Sequence, residues 1–483
     1  MCGRSGMSRS IESSGRDEPS YADGYEYMFP GLRPLELDDA GISALAGEMV
    51  NPIQAVENPH LPAGYTYFGQ LIAHDLTRMR GRQNMSAARL RLDTIYGHPA
   101  ESWQHLYKPN REGDRVFALG RGAFLNGFPT QELDLPRKGD GQPDIPDDRN
   151  DFHTMISQLH LAFMLLHNRL TMDLREEFPR ESSERIFSAA RREACWFYQW
   201  LGVNDFLRRI CDSSVMSWLW PAPNVLRSDV GRFAARVDWK LPYEFVLAGY
   251  RFGHGMVRPS YRSNDAMPNR PIFHPRGAVH WMADWRGHRK LPVQWSVQWD
   301  RFFDFAGSDS QKACCISTSI ASSLGELPEF AVADDRELRN IVNLAERTLR
   351  AGRDAGLPSG QDAARYLRTD VFPGIGLRPI DVVDAGQHDP LWCYILKEAS
   401  ELGGGRRLGP VGSWIVALTI SSVLKADERS FLHDPNWTPD LPTQGDAFEL
   451  RDLIRYTGMP MTHKDWESYV AGNLPTWSFT EAL

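Results

Sequence analysis

The sequence predicts a mainly α protein, a single large helical domain with few short strands. Three observations predict this. Helical apolar spacing recurs over long stretches, at residues 153–177, 183–211, 335–353 and 411–424. Val, Ile and Thr seldom alternate with polar residues, so the period-two signature of half-buried strands is scarce. Neither an internal repeat nor a flexible linker divides residues 26–483, which read as one domain. Residues 1–25, polar and rich in Gly, Ser and Arg, read as a disordered tail.

The elements follow in order. Residues 65–77 (Tyr-Thr-Tyr-Phe-Gly-Gln-Leu-Ile-Ala-His-Asp-Leu-Thr) form a helix that is apolar on both sides of one polar stripe. Gln70 and His74 lie four apart on that stripe, one above the other. Burying such a pair is costly unless it has work to do. Residues 111–148 are a long loop rich in Gly, Pro and Asp, a length that is usually functional or wraps a core. The helices at 153–177 and 183–211 come next. Residues 274–299 carry Trp281, Trp285, Trp295 and Trp299. With the 111–148 loop they are the candidate walls of an access channel. The helices at 335–353 and 411–424 complete the set.

Composition narrows the function. In 483 residues, 42% apolar and 11% aromatic content is ample for a large core. A net charge of −8 without a basic stripe argues against a nucleic-acid partner. No run approaches eighteen apolar residues, so no membrane span is expected. The N-terminus lacks the apolar stretch of a secretory signal. Six irregularly spaced cysteines argue against a disulfide framework and for the cytoplasm.

Three motifs carry chemistry. His74 alone reads as easily as a satisfied core histidine. Arg149, in Asp147-Asp148-Arg149-Asn150, reads alone as a surface arginine near a helix start. His254, in Tyr250-Arg251-Phe252-Gly253-His254-Gly255-Met256-Val257, reads alone as incidental to a glycine pair. Their order changes the weighing. Together they resemble the distal helix, distal arginine and proximal Arg-aromatic-Gly-His segment of the animal-type haem peroxidases, the peroxidase–cyclooxygenase superfamily. His167-Asn168-Arg169-Leu170 ends the helix after Arg149 as in that family, and further stretches match bacterial members: Tyr198-Gln199-Trp200-Leu201, Gly356-Leu357-Pro358 and Asn436-Trp437-Thr438-Pro439. The resemblance covers nearly everything after the tail.

The resemblance implies a haem held by His254 as axial ligand, with Arg251 at a propionate. It makes His74 the acid–base catalyst and Arg149 the fixed charge that stabilises O–O cleavage of H2O2. Gln70 takes the position that holds a halide or water in relatives. Departures from the family pattern matter as much. Ala73 and Phe152 stand where some members form haem esters, so a non-covalent haem b is expected. His153, beside Phe152, is expected near the haem rim. Thr348 replaces the asparagine that accepts the Nδ1–H of the axial histidine. Ala351 replaces a propionate-binding arginine, leaving Arg350 adjacent. In the calcium loop, Asp75 and Asp93 remain, but Arg91 stands where a carboxylate is usual. Arg91 is therefore expected to replace the ion, pairing with Asp75 and Asp93, which puts calcium in doubt.

The leading expectation is a peroxidase oxidising a small organic or halide donor with H2O2. A haem oxygenase or dioxygenase on a biosynthetic small molecule is the alternative. The tyrosine that dioxygenases place three residues before the proximal histidine is Arg251 here, with Tyr250 one position off. A non-catalytic haem-binding protein ranks lower. The seven-residue stripe His153, His160, His167 suggests a non-haem metal, but it reads better as core and capping histidines.

Overall fold

The computed structural model describes residues 25–50, 56–77, 79–80, 83–84, 89–97, 103–121, 134–230, 240–274, 283–305, 308–331, 340–377, 381 and 388–471. The tail expected at 1–25 lies outside them except for Tyr25, as does Trp281. Among the described residues seven helices exceed ten residues: α1 (Asp39–Met49), α2 (Gly64–Leu76), α3 (Thr154–Glu177), α4 (Ser183–Leu201), α5 (Leu344–Asp354), α6 (Leu391–Gly403) and α7 (Pro410–Ala426). The strands are short. Glu57–Pro62 pairs antiparallel with Lys312–Cys314, and Tyr107–Pro109 pairs with Arg115–Phe117. No helix is long and apolar enough to cross a membrane among the described residues. The mainly α expectation is met.

α3 is the central rod. Every residue of its first fourteen is buried, including Ser157, Gln158 and His160. It packs against α4 on one side and α2 on the other. α2 enters this core because its glycines let it approach closely. A Cβ at Gly64 would lie 2.2 Å from the Phe303 ring, and one at Gly69 would lie 2.7 Å from Phe206. Asp205, in the π-turn Gly202–Leu207 that ends α4, accepts the Tyr65 hydroxyl at 2.7 Å and the Leu450 N–H at 2.8 Å. This buried carboxylate therefore ties the start of α2 to the C-terminal part of the chain. α7 is apolar almost all round and buried accordingly. Glu398 of α6 accepts the Val411 N–H at its first turn.

Two boundaries differ from expectation. The helix read at 335–353 starts at Leu344, because the Asn343 side chain accepts the N–H groups of Ala345 and Glu346 and caps it there. Residues 335–339 lie outside the described residues. The loop at 111–148 contains the Arg115–Phe117 strand and is tied down by Arg137, which bridges the buried carboxylates of Asp134 and Asp151. Its residues 122–133 are outside the described set. Trp285, Trp295 and Trp299 are each at most 1% exposed, so they pack the core and do not line a channel. Arg270 lies over both Trp285 and Trp295, which seals them further.

Candidate active site

Eleven of the thirteen residues of α2 are buried, and the two exceptions are Gln70 and Ala73. With His74, which is 8% exposed, they make one open strip on an otherwise enclosed helix. α2 packs against the 3-10 segment Gly249–Met256, which has its own part-exposed residues, Arg251, Gly253 and His254. A methyl group on Gly253 would touch no atom within 4 Å. The sequence-predicted distal and proximal residues are thus brought together on neighbouring elements.

On the distal side, His74 Nδ1 lies 2.8 Å from Asn150 Oδ1, and Asn150 Nδ2 lies 3.0 Å from His160 Nδ1. The amide can accept at only one end and donate at the other. His74 therefore carries its proton on Nδ1 and keeps the Nε2 lone pair free. Burial, and then the nearby Arg149 charge, lower the His74 pKa to about 4, although Asp147 and Asn150 pull the other way. The imidazole is a neutral base at neutral pH.

Arg149 sits in the 3-10 turn Asp148–Asp151. Its Nη1 and Nη2 donate to the Thr77 and His74 carbonyls, each at 2.9 Å, so the guanidinium caps the C-terminal end of α2. Asp147 grips the other edge at 2.9 and 2.6 Å. Burial opposes this carboxylate's charge, but Arg149 outweighs it and brings the Asp147 pKa down to about 2. The pair is thus ionised and nearly neutral as a unit.

Gln70 Oε1 lies 2.9 Å from His153 Nε2, and His153 Nδ1 accepts the Ile156 N–H at 3.3 Å as the cap of α3. His153 thus adjoins Gln70 on the side of α2 that carries His74. Phe152 is half-buried, 6.4 Å from the His74 ring, and meets the His288 and Phe330 rings at a tilt, each at 5.6 Å. Of the rest of the histidine stripe, His160 meets Asn150 and His167 meets the Tyr96 hydroxyl at 3.1 Å. They are core and capping residues, as expected. No group of three or more His, Cys, Asp or Glu is arranged to hold a metal among the described residues.

On the proximal side, Arg251 donates Nε–H to the Val246 carbonyl at 3.0 Å and has no carboxylate partner among the described residues. Burial holds its pKa below the ordinary value, and Arg347 and Arg149 push the same way. Burial and the Arg251 charge lower the His254 pKa to about 3. The expected His254–Thr348 hydrogen bond is not formed: His254 Nδ1 and Thr348 Oγ1 are both buried without a partner among the described residues. A threonine hydroxyl reaches one bond less than an asparagine amide oxygen. The indole of Trp392 instead meets the His254 ring edge-on at 5.9 Å. Arg350 is corrected as a propionate ligand, since Glu346 and Asp39 hold it at 2.8 and 2.7 Å. Arg347, three residues earlier, is the arginine of α5 whose charge acts on Arg251.

The calcium-loop expectation also changes. Arg91 pairs with Asp427 at 2.5 Å, not with Asp75 or Asp93. Asp93 takes Arg191 instead, at 3.3 Å. Asp75 accepts the N–H groups of Leu92 and Thr94, so amide hydrogens point where a cation would need oxygen.

The model of the animal haem peroxidase family matches residues 82–370, more than half of the chain. The chain belongs to the animal haem peroxidase family. The matched span holds Arg149, His254 and Thr348; Gln70 and His74 lie before it and rest on the motif and geometry above. Heme peroxidase 2 of Caenorhabditis elegans is 29% identical over 349 residues, covering 67% of this chain and 45% of that protein. Human lactoperoxidase is 26% identical over 108 residues, 22% of this chain and 14% of that protein. The chain spans less than half the length of these curated relatives. Peroxidase A of Dictyostelium discoideum shares the fold at a TM-score of 0.59 and 14% identity, over 91% of this chain and 94% of that one. A fatty acid alpha-dioxygenase of Arabidopsis thaliana does so at 0.54 and 10%, over 92% and 77%.

The family implies a haem cofactor, and the residues present fit one. An open strip on α2 packs near Gly253, which has space above it, beside His254, whose buried Nδ1 has no partner, and Arg251, which has no carboxylate partner, both among the described residues. Sequence reasoning missed Asn150, Asp147, His160, Arg347 and Trp392. Asn150 and Asp147 adjoin Arg149 closely enough to have been candidates. His160 was visible in the histidine stripe but not as a partner of Asn150, and Arg347 and Trp392 carried no local signal.

Proposed function

We propose that this protein is a haem-dependent peroxidase that uses H2O2 to oxidise a small organic or halide donor. The observation that carries the reading is the His74–Asn150 hydrogen bond, which points a neutral Nε2 into the distal pocket as a base. Haem b, when bound, supplies a redox-active iron that takes up the oxidising equivalents of peroxide. His254 would hold the iron, and Arg251 with Arg347 would hold the propionates. Ala73 and Phe152 offer no carboxylate for an ester, so the haem is non-covalent.

His74 Nε2 takes the proton from H2O2 and returns it to the departing oxygen. Arg149 fixes the end of α2, and its charge, shared with Asp147, faces the same pocket. Gln70 holds a halide or a water beside His74. The five cysteines described are free thiols, four of them buried, which supports a cytoplasmic setting.

The Asp147 clamp favours one second reading. A cation already paired gives less help to O–O cleavage, which suits an oxygenase acting on a small molecule. Tyr250, packed between Phe245 and Phe252, gives that reading no radical tyrosine three residues before His254.

Stopped-flow absorbance of haem-loaded protein mixed with H2O2, beside His74→Ala, tests the proposal. A fast peroxide-induced spectral change that slows at least about a hundredfold in the variant is expected. An unchanged rate in His74→Ala would overturn the role of His74. No spectral change in the wild type would favour the oxygenase.

A further inference from the structure

The hydrogen-bond network around α3's first turn decides which end of the Gln70 amide faces the pocket. His153 precedes Thr154 with extended backbone, the position of a helix N-cap. Its Nδ1 accepts the Ile156 N–H at 3.3 Å, so in a neutral ring Nδ1 carries no proton and Nε2 does. The ring is buried at 3% exposure and held edge-on by Tyr67 at 4.9 Å and Phe273 at 6.3 Å. Nε2–H then donates at 2.9 Å, and its partner must be an acceptor. That acceptor is Gln70 Oε1. The two N–H bonds of Gln70 Nε2 are left to the open strip of α2, one helical turn from His74.

We propose that His153 is a positioning residue that fixes the Gln70 amide with its N–H groups towards the distal pocket, so that the small-anion role already read for Gln70 depends on this one imidazole. The chain of constraint runs from the backbone of α3, through one imidazole tautomer, to the amide of α2. Without His153 the amide is free to turn its carbonyl oxygen inward, which repels an anion and welcomes a donor. The inference rests on the reading of Gln70 as a pocket residue of the haem enzyme.

Two substitutions separate the two ends of the imidazole. In His153→Asn the short side-chain oxygen keeps the helix cap but cannot reach Gln70. In His153→Gln the side-chain N–H reaches Gln70 but the cap is lost. Both remove the ring, so its packing cancels in the comparison. The measurement is bromide titration of the ferric, haem-loaded protein, followed by the change in haem absorbance. His153→Asn is expected to raise the bromide Kd about tenfold, and His153→Gln to return it to within about threefold of the wild type. A wild-type Kd in His153→Asn overturns the positioning role, and so does equal weakening in both variants. Haem-loaded wild type that takes no bromide overturns the Gln70 reading itself, a separate outcome that is visible before any variant is made.

Discussion

Asn150→Ala would show whether the distal base is made by its neighbours. Asn150 is fully buried, and its amide makes two hydrogen bonds, 2.8 Å to His74 and 3.0 Å to His160. Alanine leaves the His74 Nδ1–H and the His160 Nδ1 lone pair without partners. Each buried orphan costs about 1–3 kcal/mol, so the unliganded protein should lose about 2–6 kcal/mol of stability. The chemical effect is distinct. Asn150 is one of the two groups that pull the His74 pKa upward, so its loss makes Nε2 a weaker base and frees the proton to move to Nε2. Proton abstraction from peroxide should slow by about 10- to 100-fold, within the range a positioned base supplies. Asn150→Asp should act oppositely on pKa. A carboxylate accepts from Nδ1–H more strongly and raises the His74 pKa, moving the acid limb of the reaction to higher pH. The assay is the second-order rate of the peroxide-induced absorbance change, followed across the acid range for all three proteins. If Asn150→Ala keeps both the wild-type rate and the wild-type acid limb, the hydrogen bond does not make His74 a base, and the argument for the distal site fails.

Three further outcomes are expected. The wild-type acid limb should lie near pH 4 and not near 6.5: the neutral imidazole is the active form, so activity is full above the lowered pKa and falls as pH drops through about 4; a limb at 6.5 would contradict a buried base. The haem-free protein should lose stability steeply as pH falls below about 6.5. His74, His153, His160 and His167 are buried and His254 is part-buried, and burial lowers the pKa of all five. The unfolded chain binds protons there that the native state refuses, each at up to ~1.4 kcal/mol per pH unit. Urea midpoints unchanged between neutral and mildly acid pH would refute this. Acid–organic extraction should release all the haem, and haem left on the chain would contradict the argument from Ala73 and Phe152.

The sequence made the helices and the main chemical residues legible because both are local. The apolar spacing of residues 153–177 reports a buried rod directly, and α3 occupies Thr154–Glu177. His74, Gln70, Arg149 and His254 sit in short motifs whose order carries information. What stayed hidden is pairwise and long-range. Arg91 reaches Asp427, 336 residues away, and no spacing rule could choose that partner over Asp75. Asp39 of α1 claims Arg350 because α1 and α5 pack together, which tertiary contact alone decides. Thr348 failed for a different reason. The substitution was visible, but whether a shorter side chain still reaches His254 depends on a helix-to-segment distance the sequence does not encode. The three tryptophans misled because a cluster of aromatic residues looks the same whether it lines a channel or fills a core.

The charges divide the site in a way neither half of the chain shows alone. Arg149 is held by Asp147, while Arg251 has no carboxylate among the described residues and faces both Arg149 and Arg347. An unneutralised, part-buried guanidinium is costly to keep and calls for an anion. On the proposed reading the haem propionates would answer that need, and this cluster would serve cofactor retention. Arg149, already neutralised, contributes less as a bare charge and more as the cap that sets the end of α2, and with it the position of His74. The chemistry on the distal side then leans on geometry: one neutral histidine aimed by Asn150, and one amide aimed by His153. Such a site depends on tautomers, and it would lose function through single hydrogen bonds long before it lost its fold.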